Sequence, residues 1–104
     1  MANKYVDLNT VKFFMNNVQE LKSILSKKRF ADHNLESVDM FIDSVKQFAD
    51  RELFPYFKEM DENPAHYKDG KIHVHQQVGK MMKEGGEMGL IAAPFDYEDG
   101  GLQL

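Results

Sequence analysis

The stretch LESVDMFIDSVKQFADRELFPYFKEM, residues 35–60, decides the fold. Its apolar residues Val38, Phe41, Ile42, Val45, Phe48, Ala49, Leu53, Phe57 and Met60 recur at steps of three and four, which aligns them on one stripe of an α-helix. Asp39, Asp43, Lys46, Gln47, Asp50, Arg51 and Lys58 fall between them, so the opposite face can stay in water while the stripe needs a partner. Asn34 stands where its short side chain can accept from an orphan amide of the first turn, and Glu36 and Asp39 meet the positive end of the helix dipole. Pro55 interrupts the pattern. It offers no N–H to the Arg51 carbonyl and its ring crowds that turn, so a kink is expected there, at a cost of about 3 kcal/mol.

Upstream, Asp7 can cap a first helix, and Val6 and Val11 stand at the two positions of a hydrophobic staple. Val11, Phe14, Met15, Val18, Leu21 and Leu25 continue at helical spacing, so this helix is expected over about 8–27, with residues 1–6 loosely held unless Tyr5 docks. Lys27, Lys28 and Arg29 read as its solvated end, where cations complement the dipole. The link Arg29–His33 is short, which favours antiparallel neighbours, and its Phe30 reads as a plug between two helices. Downstream, Asp61-Glu62-Asn63-Pro64 stops the central helix and opens a polar loop over 61–75, with a turn at Asp69-Gly70. Ile72 and Val74 alternate with Lys71, His73 and His75, which leaves room for a short extended piece. Val78, Met81, Met82 and Met88 indicate a third helix over about 76–88, which Gly85-Gly86 can shorten or soften, and an irregular tail follows. The expected class is all-α, with three amphipathic helices in one domain.

At 104 residues the chain holds one domain that buries roughly 60–65 % of its unfolded surface. The net charge of -4 and the scattered basic residues argue against a nucleic-acid groove or an anionic membrane surface. No stretch approaches the ~20 apolar residues of a membrane span, and the first residues lack the apolar run of a signal peptide. The absence of Cys removes disulfides and thiolate chemistry and fits a reducing compartment, so a cytoplasmic protein is expected. Seven Met and eight Phe are more large apolar side chains than so short a chain needs for its own core, which suggests surface meant for a partner or another domain.

Residues that could carry chemistry are few. His66, His73 and His75 invite a zinc reading, but zinc needs three or four rigidly held ligands, and these sit in a polar loop, so they read as solvated. Asp96, Glu98 and Asp99 lack the alternating oxygen ligands of a Ca²⁺ loop and read as a solvated turn. Ser23, Ser26, Ser37 and Ser44 have no Gly-flanked elbow, and neither Gly85-Gly86 nor Gly100-Gly101 has the strand, spacing and helix of a phosphate loop. No catalytic, cofactor-binding or metal-ligating residue is assigned from the residues alone.

The segment QFADRELFPYFKEMDENP, residues 47–64, resembles the first long helix of the acyl-CoA dehydrogenase family, whose pattern Phe48, Ala49, Glu52, Pro55 and Asp61 reproduce. A second segment, GLIAAPFDYEDGG at 89–101, is similar to the family's Gly-Leu, short run and Pro-Glu-Glu-Tyr-Gly-Gly. It departs in one respect: Pro94 and Tyr97 lie two places early, so Asp96 and Asp99 stand where the family has Pro and Tyr. The helix expected over 7–30 and the long polar segment resemble the additions of a larger-subunit branch of the family. The resemblance implies a flavoenzyme that desaturates acyl-CoA thioesters, a carboxylate of its C-terminal bundle taking the α-proton while FAD accepts hydride. It implies that 35–104 is the start of the N-terminal helical domain and that 1–104 is that domain incomplete. Such a piece would help cover the acyl pocket, hold no FAD and have no activity alone, partner the remaining domains, and tend to self-associate. Two readings from other classes stay open: a free-standing helical interaction module whose Met-rich third helix docks a partner, and a small metallohydrolase using the three loop histidines.

Overall fold

The computed structural model describes residues 5–104; residues 1–4, with most of the segment expected to be loosely held, lie outside the described residues. Tyr5 itself docks. Its hydroxyl donates to Asp50 Oδ1 at 2.7 Å, its ring stacks on Phe54 at 5.2 Å between centroids, and Lys46 Nζ lies 4.7 Å above it.

The chain is mostly helical, as expected, but its first two helices are segmented. The first comprises α1 (Leu8–Phe13), a wider π-helical turn over Phe14–Val18, a break at Glu20 in the left-handed region (φ 51°), and α2 (Leu21–Leu25). A single helix over 8–27 is therefore corrected to two short ones. Asn16 and Asn17 give a reason: their side-chain amides donate to the Lys12 and Phe13 carbonyls, competing with the backbone ladder where it widens. Asp7 caps α1 as expected, accepting from the Asn9 amide at 3.0 Å.

The central run starts where its sequence says. In α3 (Leu35–Phe48) Asn34 Oδ1 accepts from the Ser37 amide at 2.8 Å, and Ser37 Oγ accepts from the Asn34 amide at 2.9 Å, a reciprocal box. The expected single kink at Pro55 is replaced by a graded transition. A π-helical turn spans Ala49–Leu53, a 3₁₀ turn Phe54–Tyr56 follows, and α4 (Phe57–Glu62) resumes the helix. Pro55 stands in the first turn of a new segment, where no N–H is needed, so the widened turn before it absorbs what would otherwise be a break.

The polar segment folds further than a loop. β1 (His66–Lys68) and β2 (Lys71–His73) pair antiparallel around Asp69-Gly70, both at positive φ as a tight two-residue turn requires. The third helix, α5 (Gln76–Glu87), passes through Gly85-Gly86 and is stopped by Gly89 (φ 77°), with Leu90 N donating to Gly85 O and Gly89 N to Gly86 O, both at 2.9 Å. The tail is a closed loop. The amides of Gly101, Gln103 and Leu104 return to the carbonyls of Asp96, Phe95 and Ala93, each at 2.9 Å, around a 3₁₀ turn at Tyr97–Asp99.

Among the described residues the buried apolar side chains are Val38, Phe48 and Ala93 alone. The radius of gyration is 17.0 Å, where a closed domain of this length would have about 13 Å, and the thinnest dimension is 18 Å. So the elements form a sheet of helices about two deep, whose apolar stripe is covered along α3 and open beyond it.

Candidate functional site

The π-helical turn at Ala49–Leu53 separates two faces of the central run, and each carries one feature that could serve a function. On one side, Phe48 and Glu52 turn towards α5. Glu52 is 4 % exposed, yet fully partnered. Lys80 Nζ lies 2.9 Å from its Oε2, Arg51 Nε 2.8 Å from its Oε1, and Gln77, also buried, donates from Nε2 to both Oε2 (3.0 Å) and the Glu52 carbonyl (2.9 Å). Glu84, half-buried, approaches Arg51 at 3.4 Å and Lys80 at 3.8 Å. Lys80 first, then Arg51 and Gln77, hold the Glu52 carboxyl at about 2, below its ordinary value of 4.5, against the opposing effect of burial; the partnered cations Lys80 and Arg51 are pushed up in turn.

This arrangement is chemically quiet. A carboxylate with three donors and so low a pKa cannot act as a base near neutrality, so the cluster fixes α5 to the central run. It does make stability depend on acid. Because Glu52 is more acidic folded than unfolded, its contribution is complete above about pH 4.5 and vanishes as pH falls through about 2. A plot of urea midpoint against pH should therefore drop more for the natural chain than for Glu52→Gln over that window, the two curves converging near pH 2. Parallel curves would remove the carboxylate from this role.

On the other side, Tyr5, Ala49, Leu53, Phe54 and Phe57 line an open cleft of about 380 Å³. Its walls are almost wholly apolar, and Leu53 and Phe57, the lower end of the central stripe, are 38 % and 60 % exposed. The Phe54 and Phe57 rings pack together at 5.4 Å, so the wall is set by the chain itself. Apolar surface of this kind on the main structural helix is what a packing partner or an apolar ligand covers.

The residues singled out in the sequence are dispersed. His66 and His73 are paired across the hairpin with rings stacked at 5.3 Å, and His75 borders the same open hollow, where it is engaged with Glu59 Oε1 at 2.8 Å and caps α5. No group of three or more potential metal ligands occurs among the described residues. His75 thus corrects the reading of a solvated loop histidine. Asp96 pairs with Arg29, so the basic run at 27–29 is not simply a solvated helix end. Ser26, Ser37 and Ser44 bond locally to backbone carbonyls. Two features were not found: the Glu52 cluster, whose partners Gln77 and Lys80 lie 25 and 28 residues downstream, and the apolar wall that Tyr5, expected only as a residue that could dock, supplies. The one signal for the first was the spacing of Gln77 and Lys80, which share a helix face.

Residues 36–104 match a family model described as acyl-CoA dehydrogenase, N-terminal domain. Comparison with curated proteins and with solved structures gives no match. No helix among the described residues is long and apolar enough to cross a membrane.

Proposed function

Since the chain belongs to the acyl-CoA dehydrogenase N-terminal domain family, we propose that it serves as part of a flavoenzyme that desaturates acyl-CoA thioesters, packing helices over the acyl pocket without catalysing the reaction itself. The observation that carries this reading is the uncovered end of the central stripe. Leu53 and Phe57 continue the periodicity that buries Val38 and Phe48, yet with only the described residues around them they stay 38 % and 60 % exposed. A sequence that maintains a stripe it does not bury has a neighbour to bury it. We assign that neighbour to the remaining domains of the enzyme, so that 1–104 is an incomplete N-terminal domain of the larger-subunit type and the segment 7–30 is an addition to it. By itself such a chain would cover the stripe with a second copy, hence self-associate.

FAD, which would accept the hydride, belongs to those other domains in this reading. The glycine pairs here do not fit a flavin phosphate: Gly85-Gly86 lies within α5, and the amides of Gly100 and Gly101 already donate to the Tyr97 and Asp96 carbonyls. In the same reading the enzyme is an oxidoreductase of fatty-acid metabolism, and the cysteine-free composition fits a cytoplasmic place.

The test is to isolate from cells, with an antibody against this chain, whatever polypeptide carries it. A yellow species whose flavin is bleached by acyl-CoA is expected. A flavin-free species of 12.0 kDa that melts cooperatively would overturn the proposal and favour a free-standing helical module.

A further inference from the structure

The segment before residue 36, outside the family match, does more than add a helix. It runs antiparallel along the central run: Tyr5 meets Asp50 and Phe54, and Lys12 meets Asp43 at 2.9 Å and Asp39 at 3.4 Å. Its last residues then leave α3 and reach the closed loop Ala93–Leu104. Arg29 forks, Nη1 to the Asp96 carboxylate and Nη2 to the Pro94 carbonyl at 2.8 Å. His33 Nε2 lies 2.7 Å from the Leu102 carbonyl, which can only accept, so that nitrogen carries the proton. Gln103 Nε2 donates to the Arg29 carbonyl at 3.2 Å, and the Tyr97 hydroxyl to Asp32 Oδ2 at 3.2 Å. Both legs of the loop are therefore gripped, Pro94 to Tyr97 on the way out and Leu102 to Gln103 on the way back.

Within the loop only Ala93 and Gly101 are buried, so little apolar packing holds it. A segment of this kind belongs to the low end of local stability unless something outside fixes it. We propose that Arg29 and His33 are positioning residues, and that the loop carrying Gly100-Gly101 keeps its shape only while this N-terminal strap is attached. The grip on the carbonyls matters most. The Arg29–Asp96 pair is about half exposed on both sides and contributes little, whereas the bonds to Pro94 O and Leu102 O fix backbone directly.

Amide hydrogen exchange on the whole chain tests this without any assay of activity, and so stands or falls apart from the proposed function. Arg29→Ala should speed exchange at Gly101, Gln103 and Leu104 by about tenfold or more, as expected for losing a charge-assisted bond, with the amides of α3 unchanged. Arg29→Lys should recover only part of the protection, because its ammonium can donate to the Pro94 carbonyl but lacks the rigid fork that holds the guanidinium in place. His33→Ala should act like Arg29→Ala, His33→Gln should recover part of the loss through its own donor, and Asp96→Asn should change little. Unaltered exchange in both alanine variants would overturn the proposal and leave the loop's own backbone bonds sufficient. Loss of protection throughout α3 would overturn it too, by giving these residues a role in the general core.

Discussion

Phe48→Ala is expected to lower the unfolding free energy by about 3–5 kcal/mol. The ring is 4 % exposed and belongs to a buried apolar set that otherwise holds only Val38 and Ala93 among the described residues. It lies over Gly85 of α5, where a methyl group would meet Cζ at an ordinary contact distance of 3.8 Å. Truncation thus removes the apolar half of the contact between α5 and the central run, leaving the Glu52 cluster to hold the two together. With the helices already spread in a thin layer, the neighbours have few ways to close over the cavity, which places the loss in the upper part of the usual range. Urea unfolding at low protein concentration, where self-association is suppressed, measures it. A loss below about 1 kcal/mol would mean that the ring is peripheral and that the central stripe has been assigned to the wrong face.

The elements that depend on local chemistry were legible. Asn34 with Ser37, and Asp7 with Asn9, cap helices because a short polar side chain at the right offset suffices, and Asp69-Gly70 makes a turn because both residues tolerate positive φ. Gly85-Gly86 left the end of α5 open for the opposite reason. Glycine permits a helix to end without requiring it, and the backbone bonds that end α5 gather at Gly89 instead. Segmentation of the first two helices was hidden because a π-helical turn shifts the hydrogen-bond register while leaving the apolar spacing nearly helical. The Glu52 cluster and the strap at Arg29 and His33 were hidden more deeply. Each joins residues 25 or more apart, and a glutamate or an arginine on a helical pattern reads as solvent-facing until its distant partner is known. The apolar cleft was half visible: the unused end of the stripe at Leu53 and Phe57 could be counted, but the wall from Tyr5 could not.

Gly101→Ala is expected to cost about 3 kcal/mol of local stability, with the loop Ala93–Leu104 opening as its result. A Cβ at this position would lie 2.8 Å from the Ala92 carbonyl oxygen and closer still to the Phe95 carbonyl, and all of these are backbone atoms, so no rotamer change relieves the collision. The chain can make room only by separating the two legs of the loop, which breaks the bonds from Gly101 to Asp96, Gln103 to Phe95 and Leu104 to Ala93. Gly100 provides the internal control. Its φ of +80° penalises any side chain, but nothing lies within 4 Å, so alanine there should cost only the left-handed strain of about 1–2 kcal/mol and leave the legs paired. Exchange at Gln103 and Leu104 separates the two cases, since it should rise steeply in Gly101→Ala and modestly in Gly100→Ala. Equal effects would show that the glycine pair is needed for turning the chain and not for the close approach of its two legs, and the strap formed by Arg29 and His33 would then be holding a looser loop than the one described.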